Sequence, residues 1–173
     1  MKKFLIPLLM VAASLFASNA SAVALTDFAE NKLIDAIMRG QASGIPATWH
    51  VALYTTCPTD SSAGTEVSTV NTNYAPVAVT ANMTNWKGTQ GTTGSASSGN
   101  NGTTSNASII QYGAPTAAGS GGVAWGVINC IGLKDATSGN LWVYTSISPK
   151  TVNAGDAAPS IAVDAFTFQI DNN

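Results

Sequence analysis

Charged side chains are scarce in this chain: Asp, Glu, Lys and Arg make up 9% of its 173 residues, and histidine occurs once, at His50. A nucleic-acid binder needs clustered cations to displace counterions from phosphates. Here the basic residues Lys32, Arg39, Lys87, Lys134 and Lys150 are scattered, so no nucleic-acid partner is expected. Two cysteines and one histidine give no spacing suited to a metal ion, and no serine sits in a Gly-x-Ser-x-Gly nucleophile elbow. Neither a metal nor a cofactor is expected. A lone His50 between Trp49 and Val51 reads as a packed or edge residue rather than a general base. The acids Asp60, Glu66, Asp135, Asp156, Asp164 and Asp171 stand singly, whereas a glycosidase needs two carboxylates across a cleft. The chain is read as non-enzymatic, with no catalytic residue assigned.

What the chain does contain begins with an export-like start. Lys2 and Lys3 precede an uncharged apolar stretch from Phe4 to Phe16, and Ala20-Ser21-Ala22 offers the small-residue pattern of a cleavage site. The run is short for a bilayer and interrupted by Pro7, so residues 1–22 are expected to be a signal peptide and 23–173 the mature domain. No later segment is long and apolar enough to cross a membrane. Removing Lys2 and Lys3 leaves five basic against nine acidic residues, a net charge of −4. The 45% hydrophobic content excludes a disordered chain. An exported destination, periplasmic, cell-surface or extracellular, permits a bridge between Cys57 and Cys130, although two buried thiols would read the same way.

The mature part opens with a helix expected over about Asp27 to Arg39. Asp27 serves as N-cap with Glu30 three residues on, and Gly40 follows the last turn. Ala29, Leu33 and Ile37 recur at helical spacing, widened by Ile34 and Met38, and this face is expected to pack on a sheet. The period then changes to two: Trp49, Val51 and Leu53 point one way, and His50, Ala52 and Tyr54 the other, which predicts a central strand. Val77 and Val79 mark a short strand. From Lys87 to Asn106 the chain is almost wholly Gly, Thr, Ser and Asn, a composition expected to form a mobile loop. Val123, Trp125, Val127, Ile131 and Leu133 predict one strand face, and a turn at Asp135–Asn140 leads to an alternating partner from Leu141 to Ile147. Ile161 and Val163 are out of phase with Phe166, Phe168 and Ile170, so a bulge is expected near Ala165. The fold class predicted is mainly β, an antiparallel β-sandwich with one N-terminal α-helix.

Several strings in this order carry a resemblance. Leu25-Thr26-Asp27-Phe28-Ala29-Glu30-Asn31-Lys32-Leu33 resembles the opening of small bacteriophage and prophage tail-fibre-type virion structural proteins. So do Val51-Ala52-Leu53-Tyr54-Thr55, Gly64-Thr65-Glu66-Val67-Ser68, Trp125-Gly126-Val127 and Gly132-Leu133-Lys134-Asp135-Ala136. Ser138-Gly139-Asn140-Leu141 and Lys150-Thr151-Val152-Asn153-Ala154-Gly155-Asp156 continue it, so that the match spans nearly all of the mature chain. The resemblance implies a structural role in a virion, with no enzymatic activity. One feature departs from it: virion proteins assemble in the host cytoplasm and ordinarily lack a cleaved export signal.

The partners expected are therefore other virion or filament subunits, with self-association the default. Two other readings use the same fold: an exported adhesion or filament subunit, and a cell-surface carbohydrate-binding module with a glycan as ligand. Trp86, Tyr74 and Tyr112 lie beside polar loops, where rings either stack on sugars and neighbouring subunits or cap the ends of the core.

Overall fold

A computed structural model describes residues 23–98 and 102–170. The expected signal peptide, residues 1–22, lies outside the described residues. The chain runs β1 (Ala24–Leu25), α1 (Asp27–Arg39), β2 (Thr48–Thr56), β3 (Thr65–Glu66), β4 (Val77–Thr80), β5 (Thr103–Ser105), β6 (Ile110–Gln111), β7 (Gly126–Asp135), β8 (Leu141–Val152), β9 (Ser160–Ile161) and β10 (Thr167–Gln169). A six-stranded antiparallel sheet in the order β1-β8-β7-β2-β3, with β4 also on β2, forms the main layer. Two short antiparallel ladders, β5–β10 and β6–β9, supply a second layer. Ile110, Tyr112, Ile161 and Phe166 from that layer share one buried cluster with Val51, Leu53, Ile131 and Leu133 of the large sheet. The body is mainly β and antiparallel, an uneven sandwich with one helix.

Strand β2 is central, as its two apolar phases predict. Val51 and Leu53 enter the inter-layer core, while Ala52 and Tyr54 join a smaller cluster on the opposite face with Cys130, Cys57 and Leu141. The loop after β2 borders this second cluster, and Cys57 and Cys130 are joined there in a disulfide with Cα atoms 5.2 Å apart. Of the two alternatives for these cysteines, the structure has the bridge. Two glycines permit the close fit. A Cβ on Gly132 would stand 2.7 Å from Leu141 Cδ1 and 2.9 Å from Tyr54 Cε2, and one on Gly64, at φ +65°, would strike the Thr56 and Pro58 backbone.

Helix α1 has the expected limits, but its cap is Thr26 rather than Asp27. The Thr26 hydroxyl accepts from Ala29 N–H and donates to the Leu141 carbonyl at 2.8 Å, so one side chain caps the helix and moors it to β8. Gly40 closes the helix in the left-handed conformation. Within the helix only Ala29 is buried. Phe28 packs edge-on against Trp142 at 5.6 Å. The rest of the expected core face points outward, with Ile34 55%, Ile37 74% and Met38 78% exposed. The helix meets the sheet by its first turn, keeps Leu33 half-buried and leaves Ile34, Ile37 and Met38 to solvent.

Two further details depart from the sequence reading. The ladder between β7 and β8 shifts register between Ile128 and Cys130, which buries Ile128 and turns Val127 outward. Asn129 fills the irregularity by donating to the Thr55 carbonyl at 2.6 Å. Near Ala165 the phase change is made by a turn with Asp164 at φ +62°, and both Ile161 and Phe166 are buried around it. The described residues of the Lys87–Asn106 stretch carry local pairing. Thr103–Ser105 pairs with Thr167–Gln169, Asn106 bridges Trp86, and Gln90 bonds Ser95, Ala96 and Ser98. Its polar side chains satisfy backbone groups that no apolar packing would hold.

Candidate interaction surface

Carboxylates in this protein hold loops and edges. Glu66 accepts from Lys134 Nζ at 2.6 Å and from the Tyr74 hydroxyl. Asp164 accepts from Lys87 at 2.6 Å and from Ser105, and these donors keep its carboxyl below the ordinary carboxylate range. Asp135 accepts from Ser138 and Thr137 in the β7–β8 turn and is lowered for the same reason. Asp156 accepts from the Asn153 amide. Asp60 receives the Tyr144 hydroxyl at 2.7 Å, and that hydrogen bond pushes the phenol up to about 12. His50 sits half-buried on β2 opposite Lys134 and Ala78. Among the described residues no group of three His, Cys, Asp or Glu side chains could hold a metal ion, and no helix is long and apolar enough to cross a membrane.

The expected contact residues Tyr74 and Tyr112 lie in the core, each 3% exposed. Their rings stack with centroids 6.3 Å apart, and Trp125 meets Tyr74 edge-on at 5.2 Å and Tyr112 at 6.2 Å. The hydroxyls complete the backbone of β2 at the point where its edge partner changes from β4 to β3. Leu53 N–H donates to Tyr74 Oη at 2.8 Å, and Tyr112 Oη donates to the Val51 carbonyl at 3.2 Å. Burial raises both phenols far above their ordinary value. Neither ring is exposed, so of the two alternatives for these residues, contact with a partner or packing in the core, the structure has the core. The residue spacing could not show it, because the three rings come from loops that only the folded sheet brings together.

Trp86 is different. It is half-buried, packs edge-on at 6.2 Å against Phe166, and lines an apolar groove of about 270 Å³. Leu25, Trp49, Leu133, Trp142 and Val143 line it from the large sheet, Phe168 from β10, Leu33 from α1, and Ile45 and Ile170 from the connecting segments. Thr104 is the one polar residue in the lining. The buried indole nitrogens of Trp86 and Trp142 have no hydrogen-bond acceptor. The groove adjoins the outward stripe of α1, since Leu33 lines it and Ile37 lies one turn further along the same helix. Sequence reading took this stripe for core, because an amphipathic period is the same whether a helix meets its own sheet or another surface.

A family model described as podophage GP4 fiber I protein gp80 matches residues 24–169. No curated protein matches the chain.

Proposed function

Because this chain belongs to the podophage GP4 fiber I protein gp80 family, we propose that it is a non-enzymatic structural subunit of a phage fibre and works by packing its surface against other subunits. The observation that carries this reading is the extent of the match. It begins in β1 and ends in β10, so it takes in the whole described body rather than one shared motif. The groove beside α1 and the outward stripe of that helix supply apolar surface for such packing. The carboxylates of Glu66, Asp135, Asp156 and Asp164 are engaged in holding turns and strand edges. The test is mass spectrometry of purified particles together with immunogold labelling. A fixed copy number and label on the fibres are expected, and particles without the protein would refute the assignment.

A second reading, an exported adhesion or filament subunit, is favoured by one observation, the Cys57–Cys130 bridge. Such a bond persists in oxidising compartments, and the start of the chain has the pattern of an export signal. Sequencing the N-terminus of the protein recovered from periplasm, medium and particles separates the two. A start at Val23 outside the cytoplasm supports export, and a start at Met1 in particles supports cytoplasmic assembly.

A further inference from the structure

We propose that the α1 stripe and the groove beside it form a self-complementary face on which a second copy of this chain docks, related to the first by a two-fold axis. The proposal rests on the subunit-packing role above and names the surface that serves it. On a helix of 3.6 residues per turn, Leu33, Ile34, Ile37 and Met38 fall within a stripe of about 140°. Leu33 lies in the groove, while Ile37 and Met38, at 74% and 78% exposure, stand out beside it as a ridge. Ile45 and Ile170, which also line the groove, are 58% and 66% exposed. A ridge and a groove side by side on one face are what a two-fold contact requires, since each copy then offers the feature that the other receives. The groove, at about 270 Å³, has room for the side chains of one ridge.

The exposed area agrees with this occupant. Ile34, Ile37, Met38, Ile45 and Ile170 together leave on the order of 600 Å² of apolar surface in water, at the top of the range for the largest patch on a monomer. A standard interface buries about 800 Å² from each partner, so the patch with a polar rim suffices for a dimer. The charges of α1 are Asp27, Glu30, Lys32, Asp35 and Arg39, one net negative per helix, and Arg39 pairs with Asp35 at 2.9 Å.

The experiment is sedimentation equilibrium of the whole chain, up to about 100 µM. It compares the wild type, Ile37→Asp with Met38→Asp, and the control Val163→Asp, which alters an exposed apolar residue outside the patch. A dimer is expected for the wild type and the control. In the helix variant the dissociation constant should rise at least about tenfold, and because neither side chain is buried in the monomer, its melting temperature should match the wild type's once both are diluted to monomers. A wild-type monomer at the highest concentration overturns the proposal, and so does a helix variant that dimerises as tightly as the wild type. The fibre role fails separately. Particles containing the protein, with a monomer in solution, would refute the two-fold face alone. A patch-dependent dimer absent from particles would refute the fibre role alone.

Discussion

Removing the Cys57–Cys130 bridge provides the sharpest test of how this body is held. The bond joins the loop after β2 to the middle of β7, across a sequence separation of 73 residues. Restricting an unfolded chain by a loop of that length is worth about 4 kcal/mol in the chain-entropy account. Cys130 is buried in the small cluster with Ala52 and Tyr54, so replacement by alanine trims the packing without introducing a polar group. For a domain of this size each kcal/mol moves the melting temperature by roughly 2–4 °C. The double variant Cys57→Ala, Cys130→Ala should therefore melt about 8–16 °C lower than the oxidised protein. Scanning calorimetry on both proteins at matched concentration measures it. A fall of less than about 3 °C would show that the loop is held by its other contacts, among them the bond from Asp27 N–H to the Asp60 carbonyl, and would refute the entropic argument.

Other perturbations follow from the same geometry. Tyr74→Phe deprives Leu53 N–H of its acceptor and Glu66 of a donor; a loss of about 1–3 kcal/mol is expected by urea titration, and a change below about 0.5 kcal/mol would rule out the ladder-completing role. Gly132→Ala forces a methyl against Leu141 and Tyr54, with an expected cost of about 1–3 kcal/mol in the same titration. The Asp164 carboxyl titrates below its unfolded value of 3.8, so its contribution is present above that value and lost as pH falls through the folded one. Asp164→Asn should be less stable than the wild type at neutral pH, by under about 1 kcal/mol for so exposed a pair, and the two stability curves should converge in acid. Curves that run parallel down to about pH 2 would show that the Lys87 and Ser105 contacts contribute nothing.

What the sequence disclosed was whatever depends on near neighbours. The limits of α1 follow from the spacing of Ala29 and Leu33 and from Gly40, and the double phase of Trp49 to Tyr54 announced a strand with both edges and both faces occupied. The β7–β8 hairpin was legible from its turn residues. Hidden were features that arise only when distant segments meet. The irregularity at Asn129 exists because Thr55 offers a carbonyl across the sheet, and nothing next to Asn129 in the chain records it. Tyr74 and Tyr112 lie beside polar loops in sequence, yet their hydroxyls reach backbone atoms 21 and 61 residues away. The α1 stripe shows the converse, a pattern correctly read as helical whose destination is set by what lies outside the helix.

The pairing of β1 with β8 has a consequence for synthesis. Ala24 and Leu25 find their partners at Tyr144 and Val143, so the opening strand has no place to dock until the chain through Tyr144 has emerged from the ribosome. Thr26 likewise waits for Leu141. Contacts so far apart along the chain close slowly, and α1 stays unmoored until β8 is made, its apolar side chains open to whatever chaperone arrives first.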